Sequence, residues 1–121
     1  MNEPLNPETL GIDTLGVRAG TLRSEFMVQS AAIYLTSGFC FNSAALAAER
    51  FGNSEEGFTY SRFTNPTVSM FQSRLAALEG AQACMATASG MSAILSVVLS
   101  SMQAGDHLVS SRAIFGSTMT L

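Results

Sequence analysis

The chain has 121 residues, a net charge of −3 and a pI near 4.9, and its six cationic side chains are all arginine, scattered from Arg18 to Arg112. That scatter excludes a nucleic-acid footprint, and the absence of lysine excludes a Schiff-base amine from these residues. Hydrophobic residues make up 47% and charged residues 12%, about half the usual charged share of a soluble domain, so extensive contact with a partner subunit or further chain is expected.

A chain of this length fits one ordinary domain that buries roughly two thirds of its unfolded surface. The apolar run from Ile94 to Met102 is broken by Ser96, Ser100 and Ser101 and falls short of the roughly 20 residues that a span needs, so no membrane partner is expected. The N-terminus, with Glu3, Pro4 and Pro7, shows neither a basic segment nor an apolar core of a secretory signal. A cytoplasmic location is therefore predicted. Cys40 and Cys84 match no metal-ligand spacing and read as reduced, buried thiols. His107 reads as a turn histidine, and the seven methionines read as core filler.

The first two dozen residues, with Pro4, Pro7, Gly11, Gly16 and Gly20, lack periodicity and predict an extended or loosely ordered arm. A short extended segment follows over Ile33 to Phe41, and Asn42 or Ser43 caps a helix from Ala44 to about Phe51 that Gly52 ends. Asn53 to Gly57 is a loop. Asn65 caps the next helix, Pro66 suits its first position and Gly80 its stop. Within it Val68, Phe71, Leu75 and Leu78 fall on one face. Gln82 to Thr87 reads as a strand, and a helix from about Met91 to Met102 carries a wide apolar face of Met91, Ile94, Leu95, Val98, Leu99 and Met102. Leu108 to Ser110 reads as a second buried strand, and Phe115 to Thr118 as a helix entry near the last residue. Helix, strand, helix, strand in this order predicts α/β architecture with parallel strands, and the stop inside a new element suggests a fragment.

Three places could carry chemistry. Ser89, Gly90 and Met91 open a helix, where unpaired N–H groups and the dipole favour an anion such as phosphate. Glycine there permits close approach, although a simple turn between elements uses the same residues. Tyr60 and Arg62 flank Ser61, so in an extended segment both would face one way and could grip one phosphate. An arginine paired with Glu55 or Glu56 and a half-buried tyrosine serve those residues equally well. Phe115 precedes Gly116 at a second junction, on the sheet edge where ligands collect, and its ring could stack on a flat heteroaromatic or simply fill a core. A nucleotide-binding domain is the weakest reading, because neither the glycine spacing of a dinucleotide site nor a P-loop lysine is present.

These pieces recur in a known order. Tyr60-Ser61-Arg62, Asn65-Pro66-Thr67, Leu75 to Gly80, Ala88-Ser89-Gly90-Met91, Ala104 to His107 and Phe115 to Thr118 together resemble the N-terminal part of the Cys/Met-metabolism family of pyridoxal-phosphate enzymes, from about Thr14 onward. The resemblance implies an aspartate-aminotransferase-type (fold type I) α/β enzyme. Residues 1–64 would form an arm and subunit-contact segment, and 65–121 the start of a truncated cofactor-binding large domain. It implies pyridoxal 5'-phosphate as cofactor, held by Ser89 and the main-chain N–H groups of Gly90 and Met91. Tyr60 and Arg62 would reach the phosphate of the neighbouring subunit in a homodimer, commonly paired into a homotetramer, and Phe115 would stack on the pyridine ring. Many members carry tyrosine at the position of Phe115, so here any proton-transfer role of that side chain is lost. The Schiff-base lysine would lie beyond Leu121.

Within the family the pattern looks most like the O-succinylhomoserine sulfhydrylase branch of methionine biosynthesis, which makes homocysteine from an activated homoserine ester and sulfide by γ-elimination and addition, with the cofactor as electron sink. Cystathionine γ-synthase and methionine γ-lyase share most of these motifs. A noncatalytic truncated module that binds a longer paralogue is the alternative of another class.

Overall fold

The computed structural model describes residues 9–121. Its elements are α1 (Ile12–Arg18), α2 (Ala44–Phe51), α3 (Pro66–Glu79), α4 (Gly90–Ser101) and a 3₁₀ turn over Gly116–Thr120. Two compact bodies result, one ending at Met85 and one spanning Ala86–Leu121.

In the first body, α1 replaces part of the expected arm. Leu15 and Ala19, one turn apart, are buried, and they face α3. Asp13 in the first turn and Arg18 in the last complement the dipole. Gly20 then turns the chain with φ 68°, so close to α3 that a Cβ there would lie 2.7 Å from the Ser73 Cβ and 2.9 Å from the Met70 carbonyl oxygen. Arg74 closes the junction: its Nε donates to the Ala19 carbonyl (3.0 Å) and its Nη2 to the Thr21 hydroxyl (3.0 Å). Seven helical residues are too short for periodicity to announce them. The part of the predicted arm before Thr9 lies outside the described residues.

Helix α2 has the expected bounds, with the Ser43 hydroxyl accepting from the Leu46 N–H and Gly52 as cap. Helix α3 also begins and ends on its signals. The Asn65 side chain accepts from the Thr67 N–H, Pro66 starts the helix, and Gly80 closes it at φ 61°. The Ala81 N–H then donates to the Ala76 carbonyl (2.8 Å), the long bond of a Schellman ending. The buried face is rotated from the predicted one. Pro66, Met70 and Ala76 are buried, while Val68 and Phe71 are exposed and Leu75 and Leu78 half-buried. The reason is the packing of α1 on α3, with the chain just after α1 drawn against the α3 backbone at Met70 and Arg74, an approach that Gly20 permits.

The second body holds α4 and the 3₁₀ turn. Ser89 caps α4 by accepting from the Ser92 N–H (3.1 Å). The predicted apolar face forms but is only partly covered. Met91, Val98 and Met102 are half-buried, and Leu99 is 71% exposed.

Neither predicted strand is formed. Among the described residues the only pairing is an isolated antiparallel bridge between Gly38 and Tyr60. A strand exists through the bonds it exchanges with a neighbour, and neither 82–87 nor 108–110 has such a neighbour here. Cys40 and Cys84 are free as expected, but Cys40 is exposed rather than buried. His107 follows the turn closed by Asp106, whose N–H donates to the Gln103 carbonyl and whose carboxylate accepts from the Gln103 N–H (2.7 Å). Met70 is core filler as predicted, but Met27, Met85 and Met119 are exposed. No helix among the described residues is long and apolar enough to cross a membrane, and no three of their His, Cys, Asp or Glu side chains cluster as metal ligands.

Candidate cofactor-phosphate site

Tyr60 and Arg62 come together by a different route from the extended segment expected. The carbonyl of Tyr60 accepts from the Phe63 N–H (2.9 Å) and the Thr64 N–H (3.1 Å), which curls residues 60–64 into a turn. The turn carries the Arg62 guanidinium over the Tyr60 ring, 5.1 Å from its centroid, and within 5.7 Å of the Phe63 ring. Both distances lie in the range of cation–π attraction. Arg62 makes no ion pair with Glu55 or Glu56, which are exposed, so its charge remains available to an outside anion. Phe63 is the member of this cluster that sequence reasoning missed. Its signal was a ring directly after an arginine, legible only once the turn is known.

The turn is anchored from behind. The Ser61 N–H donates to the Ser37 carbonyl (2.8 Å) and the Phe39 N–H to the Thr59 carbonyl (3.3 Å). The Ser61 hydroxyl donates to the Thr36 carbonyl and accepts from Asn65 Nδ2 (2.9 Å). A nearby cavity of about 710 Å³ is lined by Arg50, Glu55, Glu56, Phe63 and Thr64 among others, and by none of the predicted site residues.

In the second body, Ser89, Gly90 and Met91 form the first turn of α4. The Ser92 and Ala93 N–H groups are taken up by the Ser89 hydroxyl and carbonyl, whereas the N–H groups of Gly90 and Met91 have no acceptor among the described residues. A Cβ placed on Gly90 would meet nothing within 4 Å. Open space beside two unpaired donors at a helix start fits an oxyanion such as the phosphate of pyridoxal phosphate. The Ser89 hydroxyl serves as the cap and also bonds the Ser92 hydroxyl (2.9 Å), while Thr87 donates to the Ser89 carbonyl (2.8 Å) and steadies the approach. Met91 Sδ accepts from the Thr118 hydroxyl (3.8 Å), which ties the head of α4 to the 3₁₀ turn that Phe115 precedes. Phe115 is 71% exposed, so it fills no core among the described residues.

The fold is that of the N-terminal part of a fold type I, aspartate-aminotransferase-type enzyme. A crystal structure from Campylobacter jejuni, an O-acetylhomoserine (thiol)-lyase carrying pyridoxyl-lysine phosphate, superposes with a TM-score of 0.84 at 31% identity, over 93% of this chain and 28% of that one. Residues 13–121 match the family described as Cys/Met metabolism PLP-dependent enzyme, and the chain belongs to that family, whose cofactor is pyridoxal phosphate. Its curated relatives include O-succinylhomoserine sulfhydrylases from Pseudomonas aeruginosa, 51% identical over 94% of this chain, and from Mycobacterium tuberculosis, 47% identical over 92%. An L-methionine γ-lyase from Treponema denticola is 38% identical over 92%. The chain spans about 28% of the length of these relatives.

Proposed function

We propose that this chain is the phosphate-binding front part of a pyridoxal-phosphate enzyme that forms homocysteine from O-succinylhomoserine and sulfide. The observation that carries the site is the pair of unpaired N–H groups at Gly90 and Met91 beside the open Cβ position of Gly90. The choice of reaction rests on the two sulfhydrylase relatives.

In this reading the Gly90 and Met91 N–H groups bind phosphate oxygens where the α4 dipole favours negative charge. Tyr60 adds a hydroxyl and Arg62 a fixed positive charge to the phosphate of a neighbouring subunit, so the site is shared in a homodimer or homotetramer. Phe115 stacks on the cofactor ring and, having no hydroxyl, moves no proton. When bound, the cofactor supplies the electron sink that makes loss of the γ-substituent feasible. These residues include no lysine, so the amine that joins the cofactor is supplied elsewhere, and the 121-residue chain is expected to be inactive alone.

The test is to supply the full-length protein carrying this chain with O-succinylhomoserine and sulfide and follow homocysteine. Thiol release from methionine instead would favour the γ-lyase reading, which the Treponema denticola relative supports. No turnover of either, with no pyridoxal phosphate bound, would leave the noncatalytic module as the surviving reading.

A further inference from the structure

Asn65 is the buried polar side chain of the described residues, 7% exposed. Its Nδ2 donates to the Tyr34 carbonyl (3.1 Å) and the Ser61 hydroxyl (2.9 Å), and its Oδ1 accepts from the Thr67 N–H (2.8 Å). The reverse amide orientation would set NH₂ against the Thr67 N–H, donor against donor, so the arrangement is fixed. The Ser61 hydroxyl hands its own proton to the Thr36 carbonyl and can therefore receive from Asn65. The Tyr34 N–H completes the web by donating to the Thr67 hydroxyl (2.9 Å).

A helix cap needs only the acceptor side of this amide. The two donors serve something else, because they reach backward from α3 to the segment 34–36 and to the residue between Tyr60 and Arg62. We propose that Asn65, acting through Ser61, is a positioning residue for the anion grip of Tyr60 and Arg62. With Ser61 held at its N–H by Ser37 and at its hydroxyl by Thr36 and Asn65, the turn opening at Tyr60 keeps one geometry. That geometry places the Arg62 charge over the Tyr60 ring. The role rests on the reading of Tyr60 and Arg62 as phosphate ligands.

The test compares the dissociation constants of pyridoxal phosphate and of pyridoxal, which lacks the phosphate, for the full-length apoprotein. Arg62→Ala measures the grip itself. Asn65→Asp keeps the capping oxygen and removes both donors, and Ser61→Ala removes the bridging hydroxyl without adding charge. The expected result is that Arg62→Ala weakens pyridoxal phosphate about tenfold or more, the size of a lost charge-assisted contact, while pyridoxal is unaffected. Ser61→Ala and Asn65→Asp should show the same selective loss, about threefold to tenfold. Should Asn65→Asp fail to fold, Ser61→Ala carries the decision. An equal loss for both ligands in Ser61→Ala, or no loss, would overturn the positioning role. Absence of a selective loss in Arg62→Ala would instead overturn the reading of the grip.

Discussion

At the scale of single residues, three glycines separate what the fold requires from what the ligand requires. Gly20 has φ 68° and backbone atoms of α3 at 2.9 and 3.0 Å from its Cβ position, so Gly20→Ala meets both backbone strain and overlap. A loss of about 2–4 kcal/mol is expected. Gly80 shares the left-handed conformation but has open space, so Gly80→Ala should cost about 1 kcal/mol. Urea denaturation of the two variants should rank them in that order, and equal losses would mean that α1 does not lie as close to α3 as described. Gly90 differs from both, since its φ is not positive and its Cβ space is open. Gly90→Ala should leave the melting temperature unchanged or slightly raised, as replacing glycine in a helix does by about 0.5–1 kcal/mol. Its affinity for pyridoxal phosphate should fall, because the new methyl group enters the space assigned to the phosphate. Unchanged affinity would remove Gly90 from the site.

At the scale of elements, the parts legible in the sequence were those written in local signals. Ser43, Asn65 and Ser89 cap through their own side chains, and Gly80 stops α3, so three helices have nearly the bounds expected. What depends on distant contact was not legible. Helix α1 owes its place to α3, and the buried face of α3 in turn follows from α1, so neither could be read from periodicity alone. The pairing of Tyr60 with Arg62 was expected from an extended segment and instead comes from a turn whose bonds reach back to residues 34–38. The motif named the residues, while their geometry came from a partner segment some 25 residues earlier. Arg74 is where the dependence of α1 can be tested. Its two bonds to Ala19 and Thr21 are lost in Arg74→Ala, a change worth about 1–3 kcal/mol. Amide exchange over Ile12–Arg18 should accelerate by more than that over α2, and uniform acceleration would show that Arg74 supports the whole body rather than this junction.

At the scale of the molecule, the buried apolar side chains of the described residues, Leu15, Ala19, Pro66, Met70 and Ala76, all belong to the first body. The body from Ala86 to Leu121 contains no buried residue, and within it Val97, Leu99, Leu108 and Val109 are 64–94% exposed. Apolar surface removed from water is the main source of stability, so a body without a core depends on cover that these residues do not provide for themselves. The same deficiency accounts for the missing strands, since a segment such as 108–110 becomes a strand only beside a neighbour. It follows that the 121-residue chain alone should show fast amide exchange throughout α4, aggregate or bind a hydrophobic dye, and form no homocysteine when given pyridoxal phosphate and both substrates. In the full-length protein α4 should be among the slowest-exchanging elements, because the Gly90 and Met91 N–H groups proposed to bind phosphate can hold a fixed geometry only if the apolar side of α4 is packed. A cooperative melt of the short chain, with α4 protected, would show that the second body needs no such cover, and would favour a self-standing noncatalytic module over the front part of an enzyme.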